Sequence, residues 1–131
     1  MNGEALYVRH GFGAVRPYVY GHPGLEELLK HAFGAVELER QEMGPGSFHI
    51  EVRIGDSVVV LETGEPLPAE ATRASIYVYV EEIDGAYQRA LDRGATSLAK
   101  PEDKPYQERA AGVQDSFGNT WWISTFKQPP T

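Results

Sequence analysis

The sequence predicts an α+β fold made of two βαβββ modules, and three observations predict it. Residues 25–33, LEELLKHAF, place Leu25, Leu28, Leu29, Ala32 and Phe33 at the spacing of one helical stripe, with Gly34 behind them as a C-cap. The flanking stretches alternate apolar and polar residues and are separated by turn residues, the pattern of strands with one buried face. From residue 74 the same order of strand, helix and three strands returns, matching Tyr18 with Tyr77, Gly34 with Gly94 and Val60 with Trp122.

Taken in order, RPYVYG (16–21) is β-rich and leads into the first helix. AVELERQEM (35–43), FHIEVRI (48–54) and SVVVLE (57–62) follow, divided by GPGS and by the turn residues Gly55 and Asp56. ASIYVYVEE (74–82) opens the second set. A helix over DGAYQRALDR (84–93), closed by Gly94, comes next, and three shorter β-like stretches end at TWWISTF. Glu81, Glu82 and Asp84 sit where carboxylates meet the positive end of that helix dipole. One domain over 1–131 is expected, with module one at about 14–64, a proline-bearing linker at about 64–73 and module two at about 74–127.

Composition narrows the functional classes. A 131-residue chain supports one core. A formal charge of -7 disfavours broad contact with a nucleic-acid backbone, and no apolar run is long enough to span a bilayer. The absence of cysteine removes disulfide and thiol chemistry, and MNGEALYVRHGFG lacks the order of a secretory signal, so a cytoplasmic location is expected. GFGAV (11–15) precedes a strand and joins no helix, so it is not a phosphate loop. The expected partner is a small organic molecule, with neither nucleic acid nor membrane.

Alternation assigns the two faces of the strands. Ile50, Val52, Ile54, Val59 and Leu61 share a side with Ile76, Val78, Val80, Trp121 and Ile123, a face that can bury both helices. The opposite face carries Tyr18, Tyr20, His49, Glu51, Arg53, Ser75, Tyr77, Tyr79, Thr120, Trp122 and Ser124. Aromatic rings with a few polar groups suit a concave ligand site, and an ordinary wet sheet face carries the same pattern. The adjacent Trp121 and Trp122 must point to opposite faces, which favours a second face that is more than wet surface.

The duplicated order, the LLKHAFGAVELE segment, the HIEVRIGDSVVVLE hairpin and the AGVQDSFGNTWWIST close resemble the vicinal oxygen chelate superfamily, also called the glyoxalase/bleomycin resistance protein/dioxygenase superfamily, over about residues 14–126. D-x-F-G-N-x-W-W is the more specific part and resembles a glyoxalase-like subgroup. The resemblance implies a cupped, incomplete β-barrel with helices on its outer face, commonly a homodimer, with a divalent metal in its enzymes. The four positions that bear metal ligands in such relatives align with Arg16, Val60, Ser75 and Trp122. Valine and tryptophan offer no usable donor, so the usual metal site is expected to be lost and no cofactor is expected.

The resulting expectation is a glyoxalase-like homodimer binding a small, partly aromatic molecule in a metal-free cavity. Tyr18, Tyr77, Tyr79, Tyr106 and Trp122 would line it, and His49, Glu51 and Arg53 would supply polar contacts. Whether it is an enzyme stays open. His49 and Glu51, two apart on one strand, are the candidate catalytic pair, and a charged strand face is the plainer reading of both. The alternatives are a metal-dependent lyase, isomerase or dioxygenase using a displaced site near that pair, and a dimerising or partner-binding module with a filled cavity. Glu108 and Arg109 are expected beside the cup within the proline-punctuated stretch 101–112, where an irregular edge strand is the structural alternative. His10, His22 and His31 are expected at the surface.

Overall fold

A computed structural model describes residues 6–127. After a 3₁₀ turn at Arg9–Gly11, the chain forms β1 (Tyr18–Gly21), α1 (Leu25–Phe33), β2 (Val36–Gly44), β3 (Ser47–Ile54) and β4 (Ser57–Thr63). Then come β5 (Ser75–Tyr79), α2 (Ile83–Asp92), β6 (Thr96–Lys104), β7 (Glu108–Gln114) and β8 (Thr120–Phe126). Each set folds into one four-stranded sheet, in the orders β1-β4-β3-β2 and β5-β8-β7-β6. The first pair of each is parallel and the rest antiparallel, so the two βαβββ modules repeat in topology as well as in sequence. Their registers coincide: Tyr18 lies opposite Val60, and Tyr77 opposite Trp122.

Boundaries move for local reasons. β1 starts at Tyr18 because Pro17 has no N–H, although its carbonyl accepts from the Val60 amide at 2.9 Å. α1 closes on Gly34 at φ +70°, whose amide reaches the carbonyls of Leu29 and Lys30. α2 begins at Ile83 because the Glu82 side chain takes the N-cap role, accepting from the Gly85 amide at 2.8 Å. The proline-punctuated stretch becomes the hairpin of β6 and β7. β6 is the edge strand and carries Pro101 within a shifted register, where a missing donor faces no ladder partner.

The apolar sides of both sheets and the stripes of both helices merge into one core. Val19, Leu29, Val52, Leu61, Val113, Trp121 and Ile123 are fully inaccessible there. Trp121 is the largest of them, its ring 5.9 Å from that of Phe33 on α1. Arg89 of α2 donates to the carbonyls of His31 and Ala32 at the end of α1, satisfying acceptors that a helix terminus leaves open. The helices thus cover one side of each sheet, and the other side forms an open cup. Among the described residues no helix is long and apolar enough to cross a membrane.

The DSFGN segment clasps the modules together. One carboxylate oxygen of Asp115 accepts from the amides of Phe117, Gly118 and Asn119 at 2.9–3.1 Å. The other accepts from Asn119 Nδ2 at 2.8 Å and from Trp121 Nε1 at 2.9 Å. Asn119 then donates to the Tyr20 carbonyl of β1 at 2.6 Å and accepts from the Ala74 amide at 2.7 Å. Gly118 takes φ +108°, and a side chain there would also strike Arg73. The most distinctive sequence signature is therefore architectural.

Candidate functional site

The open faces of the two sheets have the same layout and different chemistry. On the first, alternation brings Tyr18, Tyr20, Val60, Glu62, His49 and Glu51 to one side, with Glu39 of β2 directly opposite Glu51. His49 lies between two carboxylates: its Nε2 is 3.0 Å from Glu51, and its Nδ1 contacts Glu62. Ionised carboxylates only accept, so both contacts are hydrogen bonds when the ring is the imidazolium, with each nitrogen donating. Burial works against that charge, and the hydrogen bonds to Glu51 and Glu62 outweigh it, raising the His49 pKa. Burial likewise opposes ionisation of Glu51, yet hydrogen bonds from His49 and His10 hold its carboxyl below the usual range.

The chain of contacts continues outward. His10 Nε2 lies 3.0 Å from Glu51 and 3.4 Å from Glu39, and Arg9 also binds Glu39. Arg16 approaches Glu51 at 3.4 Å and is itself held by the carbonyls of Gly13 and Phe12. Burial and the neighbouring Glu62 carboxylate push the Tyr18 phenol up to about 12. Arg9, Arg16 and the imidazolium therefore oppose Glu39, Glu51 and Glu62, and the charges of this face largely satisfy one another.

The second sheet is aromatic. Tyr77 and Tyr79 stand edge to face, ring centres 5.4 Å apart, and both phenols donate to the carboxylate of Glu108. Ser124 adds a third hydroxyl donor at 2.7 Å. These bonds, Tyr77's first, hold the Glu108 carboxyl below its ordinary range, so it is ionised although only 7 % exposed. Trp122 packs against Gly112, its cross-strand partner, close enough that a Cβ on Gly112 would meet the ring at 2.5 Å. A cleft of about 250 Å³ opens beside it, bordered by Tyr77, Lys104, Tyr106 and Ala110. Tyr79 faces the other side of Tyr77, on a recess of about 220 Å³ shared with Pro17 and Asp56.

Set against the sequence expectations, Tyr77, Tyr106 and Trp122 come together in one cleft. His49 and Glu51 come together on the other sheet. Tyr18 is exposed at the first sheet, edge to face with Tyr20 at 5.5 Å, and Arg53 is exposed at the far end of β3. Arg109 points away from the cup to Asp84 and Asp103. Two contributors, Glu62 and His10, escaped sequence reasoning, whereas Glu108 was expected beside the cup. Glu62 follows from the alternation that places Val59 and Leu61 in the core. His10 reaches Glu51 across 41 residues from an arm outside the repeat. The burial of Glu108 depends on three hydroxyls from two other strands. His22 meets Ser116 at 3.0 Å, where the clasp lies beside the entry to α1.

The four positions aligned with family metal ligands can be tested against the geometry. Val60 and Trp122 occupy equivalent places beside Tyr18 and Tyr77, Ser75 lies opposite Thr120, and Arg16 is bound to carbonyls and Glu51. Only Ser75 offers an oxygen donor, so this set does not fit a divalent ion. Another group, His10, Glu39 and Glu51, brings three donor atoms within 4.8 Å of one another, with Arg9 and Arg16 already bound to its carboxylates.

Comparison with known proteins agrees with this architecture. Residues 26–123 match the model of the Glyoxalase/Bleomycin resistance protein/Dioxygenase superfamily. An uncharacterised protein of Mycobacterium bovis is 33 % identical over 101 residues, covering 69 % of this chain and 66 % of that protein. A counterpart from Mycobacterium tuberculosis is equally similar, and the match covers 59 % of its length. The chain thus spans less than two thirds of these curated relatives. Among solved structures, TioX from Micromonospora sp. ML1 superposes with a TM-score of 0.65 at 24 % identity, over 86 % of this chain and 98 % of that one. The fosfomycin resistance protein FosX from Listeria monocytogenes, solved with Mn(II) and sulfate, gives 0.64 at 17 % identity, over 86 % and 91 %. At such identities the likeness is one of fold.

Proposed function

The chain belongs to the glyoxalase/bleomycin resistance protein/dioxygenase superfamily, and from that premise we propose that it binds a small, partly aromatic organic molecule against Trp122 in the cup of the second sheet. One observation carries this reading: Trp122 packs directly against a residue with no side chain and stays 37 % exposed at the mouth of a cleft between Tyr77 and Tyr106. A stacked ring gains contact area there without displacing a core group. The proposal includes a homodimer, in which a second copy covers the open cups and their exposed Tyr18, Tyr77 and Tyr79. Light scattering tests that part.

For the site itself, Trp122→Ala should lower the affinity for a flat aromatic ligand, read by calorimetry, at least about tenfold while the protein stays folded. Unchanged affinity would remove Trp122 from the site.

A second reading rests on the convergence of His10, Glu39 and Glu51: a divalent ion held there, away from the four aligned positions, in an enzyme whose proton-transferring pair is His49 and Glu51. Elemental analysis after incubation with zinc, manganese, nickel and ferrous iron decides it. About one equivalent retained in the wild type and lost in His10→Ala supports this reading. Retention unaffected by that substitution removes it.

A further inference from the structure

Glu108 is a buried anion without a counter-ion. Of the buried carboxylates, Glu26 meets Arg40 and Lys30, and Glu51 meets Arg16 and two histidines. Asp115 is enclosed by five N–H donors that lock the clasp. Glu108 instead collects three neutral hydroxyls, and among the described residues no basic side chain pairs with it. Hydroxyl donors solvate a carboxylate without cancelling its charge, so the cup keeps a negative centre. Lys104 at the rim of the cleft does not offset it, because its ammonium is bound to Glu102 at 2.6 Å. The two tyrosines that bind this anion are partly exposed, Tyr77 at 48 % and Tyr79 at 60 %, and Trp122, beside Tyr77 in the cleft, is 37 % exposed. Aromatic faces are themselves electron-rich and attract cations, most strongly when water is excluded.

Building on the reading of Trp122 as a ligand platform, we infer that the molecule bound there carries a positively charged nitrogen, an ammonium or quaternary ammonium beside its flat part, seated against Tyr77 and Trp122 in the field of Glu108. The tyrosine hydroxyls have a second function in this arrangement. Donating to Glu108 orients both phenols and keeps the carboxylate ionised, while the ring faces stay free for the cation. A quaternary nitrogen needs no hydrogen-bond acceptor, and the hydroxyls of Tyr77, Tyr79 and Ser124 are already committed to Glu108. An anionic ligand would meet the uncompensated carboxylate at close range.

The test uses three probes of one shape: benzyltrimethylammonium, the neutral 2-methyl-1-phenyl-2-propanol, and phenylacetate. Affinities are read by calorimetry and by quenching of tryptophan emission. The cation should bind about tenfold more tightly than the neutral alcohol, a ratio on the scale of a ring–cation contact, with phenylacetate weakest. Glu108→Gln should abolish the difference between cation and alcohol. Lys104→Gln, at a half-buried position on the rim, should strengthen binding of the cation about twofold by removing a like charge and leaving the Glu102 carboxylate without its partner. Equal binding of all three probes by the wild type would overturn the charge preference and leave the aromatic platform standing. No quenching by any probe would overturn both. Should Glu108→Gln fail to fold, Lys104→Gln decides, since an unchanged or weakened affinity for the cation there also overturns the inference.

Discussion

Gly112→Ala tests whether the indole of Trp122 rests on the strand as described. The added methyl would lie 2.5 Å from Trp122 Cζ3 and 2.7 Å from Cε3, whereas carbon atoms settle at about 3.5–4.0 Å. The ring must therefore lift by about 1 Å. Gly112 is not among the glycines with positive φ, so alanine meets no backbone penalty. Turning the indole by ~30° costs about 0.5–1.5 kcal/mol. Removing a glycine from a strand returns roughly 0.5–1 kcal/mol. These nearly cancel, so urea unfolding should shift by no more than about 1 kcal/mol while the platform is displaced. Acrylamide quenching reads the displacement, because Trp121 is 0 % exposed and Trp122 is 37 % exposed, leaving one accessible indole. The quenching constant should rise and the affinity for a flat ligand should fall. An unchanged quenching constant together with unchanged or raised stability would show that the ring does not lie there.

Asp115→Asn keeps the oxygen that meets three amides but replaces the acceptor of Trp121 Nε1 and Asn119 Nδ2 with a donor, and should cost about 1–3 kcal/mol in denaturant unfolding; full stability would show that the clasp contributes nothing. Ile123→Ala, at a fully buried core position, should cost about 2–5 kcal/mol without altering acrylamide quenching of Trp122. The ion network gives a pH signature. Glu51, whose folded pKa is lowered from 4.5, stabilises the fold above that value and loses the contribution as pH falls through the folded value. His49, raised from 6.5, stabilises below that value and loses its contribution as pH rises through the folded value. The network is thus most stabilising between pH 4.5 and 6.5. In His49→Gln the difference from wild type, followed by thermal midpoints, should be largest there and shrink on the alkaline side. A constant difference across pH 4.5–9 would refute the assignment of an imidazolium.

Much of the fold was legible because period and topology are local signals. The stripe of LEELLKHAF gave α1 at Leu25–Phe33 residue for residue, and strict alternation put Trp121 with Val59 and Leu61 in the core and Trp122 on the open face. The site was legible only by strand. Alternation tells that His49, Glu51, Tyr77 and Trp122 share a type of face, yet not that the first two belong to one sheet and the last two to the other. Nor does it reveal what each side chain meets. Glu108 looks like any charged residue in a proline-rich stretch, because its burial is created by the register of β5, β7 and β8. His10 could not be found by period at all: its position depends on how an irregular arm returns across β2 and β3.

The duplicated topology makes the difference between the faces interpretable as a set of exchanges at equivalent points. Val60 sits between Tyr18 and Glu51, and Trp122 sits between Tyr77 and Gly112. Glu62 sits between Tyr20 and His49, and Ser124 between Tyr79 and Ala110. Where the first sheet places two carboxylates and an imidazole that bind one another, the second places a hydroxyl, a methyl and a bare backbone around one large ring. The exchanges depend on each other. Trp122 can pack this close to β7 only because Gly112 has no side chain, and Glu108 can turn inward only because Ser124 and the two phenols meet its charge. On the first sheet the polar groups end in one another and hold β1, β3 and β4 to the N-terminal arm. On the second they end in Glu108 and leave Tyr77 and Trp122 partly exposed at the cleft, the feature on which the proposed ligand site rests.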